Sequence, residues 1–185
     1  MNDAAARLYE RLLVLRCQAG EEAALAELIA RYSPGLRFFL RKIIGHDAAA
    51  DDLLQDTWFA AYRQINRLNR PEAVAAWLYR IARDKAYRQV RRRPEPAASL
   101  EVDYVEAPGE DDDQFTAEEA AGVRAALDKL PAEQREILLL RFIEEMSYEQ
   151  IAEVINRPVG TVRSRIHYAK AALHAKLVSR TVGNS

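Results

Sequence analysis

Residues 147–165 read SYEQIAEVINRPVGTVRSR, and the fold follows from this stretch. Ser147 and Gln150 have the spacing of a capping box, in which each side chain accepts a backbone N–H of the other residue. A short helix is therefore predicted over residues 147–155. Asn156, which tolerates left-handed φ, closes it. After a turn over residues 156–158, a longer helix is predicted over residues 159–177. Short helix, tight turn and longer helix make a helix-turn-helix, whose second helix lies in the DNA major groove. Ile151, Val154 and Ile155 point inward, and Ala152 is small enough to let the helices approach.

Along the last helix, Val162, Ile166, Ala169, Leu173 and Leu177 fall on one stripe. The opposite face carries Arg163, Ser164, His167, Tyr168 and His174, with Arg165 and Lys170 at its edges. Hydrogen-bonding groups near the start of such a helix meet base edges, and Arg163 suits bidentate contact with a guanine. Ser147 and Arg141 are placed to hold phosphates, the serine with help from the positive end of a helix dipole. An ordinary solvated face on a helical hairpin is the bland alternative. The turn length, the capping chemistry and Ala152 favour DNA.

Upstream, a helix predicted over residues 131–143 is apolar almost all round and should be buried. Thr116 and Glu119 repeat the capping-box spacing and start a helix that ends at Leu130-Pro131. Before it, residues 94–115 hold Pro94, Pro96, Pro108, Gly109 and the run Glu110-Asp111-Asp112-Asp113. Such a composition buries too little apolar surface to offset chain entropy and reads as a flexible linker. Two small all-α domains are expected, over residues 1–93 and 116–185, joined by the acidic linker 94–115.

In the first domain, Ala24, Leu25, Leu28, Ile29 and Tyr32 line one helical face. Ser33-Pro34 has the form of an N-cap followed by proline at the first helical position, so a second helix is expected to start there. Leu36, Phe39, Leu40 and Ile43 continue it, and Gly45 stops it. Asp47 can cap a third helix whose core face is Leu54, Thr57, Trp58, Ala61 and Ile65. Pro71 opens a fourth, running to about residue 92. Its core face is Val74, Trp77, Leu78, Ile81 and Ala82. Its other face is Ala76, Tyr79, Arg80, Arg83, Tyr87 and Arg91, with Arg88, Arg92 and Arg93 adding charge. Cations interleaved with aromatic rings suit single-stranded nucleic acid, where charges follow the backbone and rings stack on bases. A solvated basic face with tyrosines covering the core edge is an equal alternative on this helix alone.

The chain's net charge of −1 conceals +6 over residues 1–93, −10 over 94–119 and +3 over 120–185. Two basic blocks point to polyanionic partners. A single cysteine, Cys17, supports no internal disulfide framework. No signal-peptide pattern or long aliphatic run is present, so a cytoplasmic protein without direct membrane contact is expected. There is no Gly-rich phosphate loop, His-Glu-x-x-His or Cys/His metal spacing. His46, His167 and His174 do not cluster with Cys17. Neither catalysis nor a metal or other cofactor is expected.

Taken together, three stretches resemble a bacterial RNA polymerase sigma factor of the extracytoplasmic-function (ECF) group of the sigma-70 family. They are DDLLQDTW at residues 51–58, AWLYRIAR at 76–83, and LPAEQRE at 130–136 continuing to VGTVRSR at 159–165. The match covers about residues 10–93 and 116–178, in the family's minimal form with its second and fourth regions. The resemblance implies an alternative sigma factor that binds core RNA polymerase and promoter DNA. Asp52, Leu53, Gln55 and Asp56 would contact the clamp coiled coil of polymerase. The basic fourth helix would capture the unpaired -10 strand through Tyr79, Arg80, Arg83, Asp84, Tyr87, Arg88 and Arg91. Arg67, Asn69 and Arg70 would belong to a loop that pockets a flipped-out base. The last domain would read the -35 duplex and dock on the polymerase flap. An anti-sigma factor is the usual restraint in this family. The family often has Asn where this chain has Asp84; a carboxylate there repels phosphate but can accept from a cytosine amino group, or else it faces away. Trp77 is either core or a wedge at the edge of the melted duplex. A stand-alone helix-turn-helix regulator is the rival reading, but it needs a dimer interface, and no spare apolar helix face offers one.

Overall fold

A computed structural model describes the backbone of residues 3–92 and 126–182, and the side chains of residues 5–92 and 126–177. The expected linker over residues 94–115, the Thr116/Glu119 capping box and Arg93 lie outside those residues. Two compact units are present, and each is all-helical among the described residues.

The first unit consists of α1 (Asp3–Gln18), α2 (Glu22–Ile44), α3 (Asp47–Gln64) and α4 (Val74–Arg92). Short 3-10 turns at Ile65–Arg67 and Pro71–Ala73 join the last two. Four helices were expected, but the chain divides differently. Pro34 lies inside one continuous α2, with no restart at Ser33. Proline forfeits one i→i−4 hydrogen bond. Apolar burial on both sides holds the helix through it: Ala24 and Leu28 before, Leu36, Phe39, Leu40, Ile43 and Ile44 after. Ser33 does not cap; its Oγ accepts from Trp58 Nε1 at 3.0 Å. Gly45 does end α2, at φ +77°, with its N–H donating to Arg41 O at 2.8 Å. His46, rather than Asp47, is the N-cap of α3. The remaining helix is α1, which buries Leu13, Val14 and Cys17 and packs on α2.

The core of this unit forms where α4 meets both α2 and α3. Contact on two sides widens the buried face of α4 to Val74, Ala76, Trp77, Leu78, Tyr79, Ala82 and Ala86. Each fully buried large apolar side chain contributes about 1.5–3 kcal/mol. On α3 the expected Thr57 and Ala61 are buried, as is Ile65 just after it, while Leu54 and Trp58 are only half-buried and Ala50 and Leu53 complete the stripe. Thr57 is fully buried because its hydroxyl donates to Leu53 O at 2.7 Å, which satisfies it inside the helix.

The second unit contains α5 (Ala132–Leu138), which continues as a π-helical turn at Leu139–Ile143, then α6 (Tyr148–Ile155) and α7 (Val159–Val182). Residues 137–140 are buried as expected, but Phe142 and Ile143 are exposed. Arg135 ties the start of α5 to the preceding turn. Its Nε donates to Leu127 O at 2.9 Å, and its Nη2 to Asp128 O at 3.0 Å and Leu130 O at 2.8 Å. One guanidinium thus bridges three main-chain acceptors.

Candidate nucleic-acid interface

The helix-turn-helix has the predicted caps. Ser147 Oγ accepts from the Gln150 N–H at 3.2 Å, and Gln150 Oε1 from the Ser147 N–H at 2.9 Å. Asn156 ends α6 in the left-handed conformation, φ 52° and ψ 55°. Val159 then begins α7, whose buried stripe is Val162, Ile166, Ala169 and Leu173. Arg163 and His167 are exposed on its other side, Tyr168 and Lys170 half-exposed. The His167 and Tyr168 rings meet edge-on at 5.5 Å. Arg165 Nη2 lies 3.7 Å from Glu133, so part of its charge is already matched.

Ser164 was expected on that outer face and is buried instead. It shares a side of α7 with buried Thr161. Its Oγ donates to Thr161 O at 3.1 Å, which leaves it no need of an outside partner. Arg141 is held by its Nη1 donating to Met146 O at 3.2 Å and lies 5.3 Å from the Tyr148 ring centroid. Glu149, in the first turn of α6, has its carboxyl held below the usual range by its own backbone N–H, then by the Ser147 side chain and by the Arg163 charge.

In the first unit, Arg67, Asn69, Arg70, Arg80, Asp84, Arg88 and Arg91 are exposed, and Arg83 and Tyr87 half-exposed. The Arg83 guanidinium lies over the Tyr87 ring at 4.7 Å, a cation–π pair that keeps both groups on the same strip. Two expected contacts are withdrawn into the core. Tyr79 is only 2% exposed and packs edge-to-face on Phe39 at 5.4 Å. Trp77 is buried as well, as its core reading requires. Both belong to the face widened by the double contact of α4 with α2 and α3.

Among the expected polymerase contacts, Asp52, Gln55 and Asp56 are exposed on α3. Leu53 is buried, because it lies three residues after Ala50 and four before Thr57 on the core stripe. Neighbouring Asp51 pairs with Arg37, whose Nη2 donates to Oδ2 at 3.0 Å; that hydrogen bond lowers the Asp51 carboxyl below its ordinary range.

One contact had no sequence signal. Gln18, the last residue of α1, donates from Nε2 to Ile65 O at 2.8 Å and to Leu68 O at 3.0 Å. Its partners are main-chain carbonyls 47 and 50 residues away, which no periodicity marks. Among the described residues, no group of three His, Cys, Asp or Glu side chains could hold a metal ion, and no helix is long and apolar enough to cross a membrane.

Comparison with known proteins agrees with both units. The model for Sigma-70 region 2 matches residues 28–94, and that for Sigma-70, region 4 matches residues 120–173. The ECF RNA polymerase sigma-E factor of Haemophilus influenzae is 32% identical, covering 94% of this chain and 97% of its own. The structure of CnrH in complex with the cytosolic domain of CnrY is similar with a TM-score of 0.69, at 30% identity over 92% of this chain and 97% of that one. The sigma factor RpoE from Bartonella quintana, in complex with the anti-sigma factor NepR, gives a TM-score of 0.64 at 27% identity, over 82% and 95%. The chain therefore belongs to the ECF group of the sigma-70 family of RNA polymerase sigma factors.

Proposed function

We propose that this sigma factor directs promoter-specific transcription by holding promoter DNA at two points while bound to core RNA polymerase. The supporting observation is the presence in one chain of two differently built basic helix faces. One lies on the second helix of a capped helix-turn-helix; the other lies on the helix after an exposed loop. Residues 116–185 read the -35 duplex. Arg163, His167 and Tyr168 face base edges, Arg165 and Lys170 flank them, and Ser147 and Arg141 hold phosphates. Residues 1–93 hold the -10 element. Arg80, Arg83, Arg88 and Arg91 follow the unpaired backbone, Tyr87 stacks, and the loop with Arg67, Asn69 and Arg70 takes a flipped base. Asp84 accepts from a cytosine amino group on that strand.

Melting follows from binding: bases held unpaired are removed from the duplex equilibrium, and each stacked base contributes about 1–3 kcal/mol. Asp52, Gln55 and Asp56 dock on the polymerase clamp, and the second unit on the flap. The acidic residues 94–115 run between them through a channel of the enzyme that later carries RNA, mimicking nucleic-acid charge. No bond is made or broken by the chain itself, which works in the cytoplasm. An anti-sigma factor restrains it, as the complex of the Bartonella relative with NepR suggests.

The test is run-off transcription from a purified reaction. Core polymerase alone should start non-specifically, and adding this chain should give starts at discrete promoters. Tight, sequence-specific duplex binding by the chain alone, with no change on adding polymerase, would overturn the reading.

A further inference from the structure

We propose that Gln18 is a positioning residue for base capture. The inference rests on the reading of the loop around Arg67–Arg70 as the pocket for an unpaired promoter base. A primary amide has two N–H donors, and Gln18 has one for each of two carbonyls. Ile65 O and Leu68 O accept at 2.8 and 3.0 Å, and they bracket the 3-10 turn Ile65–Arg67. Ile65 O also accepts the Leu68 N–H at 3.0 Å, so the entry of the loop is held by three hydrogen bonds converging on one turn.

The clamp is itself anchored. Gln18 ends α1, and the turn after it is fixed by Gly20 at φ +85°, a conformation that glycine adopts without strain. Arg16 Nε spans that turn to Glu21 at 2.7 Å. At the exit of the loop, Pro71 is buried and Ala73 N–H donates to Arg70 O at 3.0 Å. Between these two fixed ends Arg67, Asn69 and Arg70 are exposed.

Charge attracts a strand whether or not the loop is rigid, but telling one base from another requires donors and acceptors held in place before the base arrives. Removing the clamp should therefore cost discrimination and spare general affinity.

The experiment uses holoenzyme reconstituted with core polymerase. The probes are fluorescent single strands carrying the -10 sequence mapped from the chain's own transcription starts, with each base in turn at the captured position. Gln18→Met keeps the length and loses both donors. It should lower the ratio of cognate to substituted affinity about tenfold, leaving affinity for the substituted strands near that of the parent and lowering the melting temperature only modestly. Gln18→Asn, one methylene short of the carbonyls, should lose the ratio in the same way and serves if Gln18→Met does not fold. Gln18→Lys restores donors at similar reach and should recover most of the ratio.

An unchanged ratio in Gln18→Met, or in Gln18→Asn where the former does not fold, overturns the proposal, as does equal loss in Gln18→Lys. A purely structural role would lower the melting temperature and leave the ratio intact, which also overturns it. Asn69→Ala separates the two layers. If it relaxes base preference and Gln18→Met does not, only the clamp fails. If neither changes it, the loop does not read a base, and the clamp falls with it.

Discussion

The outward faces of α4 and α7 are both basic, yet they are built on different plans. From residue 80 to residue 92, α4 carries Arg80, Arg83, Lys85, Arg88, Arg91 and Arg92 against the single acid Asp84. Its opposite side is covered by two helices, so Tyr79 and Trp77 are drawn inward and what remains outside is mostly charge. On α7 the cations are sparser, and acids of other elements stand close: Glu133 near Arg165, Glu149 near Arg163. Dense charge suits a flexible phosphate backbone, which offers the same anion at each step. Sparse, braced polar groups suit base edges, where geometry decides.

The largest effect expected of this difference is on folding. Tyr79→Ala in α4 should destabilise the first unit by about 3–5 kcal/mol, because it empties a site packed against Phe39. Urea unfolding followed by circular dichroism reads it. A variant that unfolds like the parent and loses only -10 strand binding would put Tyr79 back on the outer face and break the comparison.

Next come the two arginines that represent the two plans. Arg163→Ala should cost about 1–3 kcal/mol at a good promoter and relax preference at one -35 position, measured by holoenzyme binding to a panel of single-base substitutions. Unaltered promoter choice would mean that α7 is turned differently on its DNA. Arg91→Ala should weaken binding of all sequences alike and reduce the slope of log affinity against log salt by about 0.7, the value for one phosphate contact on a single strand. A sequence-dependent loss at Arg91 would erase the distinction between the faces.

These faces were legible in the sequence to different degrees. The helix-turn-helix could be read closely, because its signals are local: two side chains three residues apart, an asparagine at a turn, a stripe at helical period. The outer face of α4 was half legible, since its width depends on how many helices pack against it, which no spacing within α4 encodes. Leu53 and Ser164 were misplaced for the same kind of reason. Each lies at the edge of a stripe whose extent is set by neighbouring helices. Ser164 also hides its polarity in a bond to Thr161 O. Pro34 misled because a local helix-start signal was overridden by burial along both halves of α2. Gln18 was invisible, because main-chain partners have no residue identity to recognise.

The smallest effect is a pH dependence on α7's side of the comparison. The Glu149 carboxyl is held below its ordinary range by its own backbone N–H, Ser147 and Arg163. A carboxyl lowered by folding stabilises the fold when ionised. That contribution is complete above the unfolded value, roughly 4.3 for glutamate, and disappears as pH falls through the lower folded value. The parent should therefore unfold at a higher temperature than Glu149→Gln at pH 7, by a small margin because the group is exposed. The two should converge toward pH 2, where both side chains are neutral. Carbon-detected NMR titration then ties the acid to the reading arginine. In Arg163→Ala the Glu149 titration should move up slightly, since its own backbone N–H and Ser147 still hold it down, while the Ser147 cap stays formed. A Glu149 titration unmoved by the loss of Arg163 would show that the guanidinium is not braced, and the contrast between a sparse braced face and a densely charged one would lose its footing on α7.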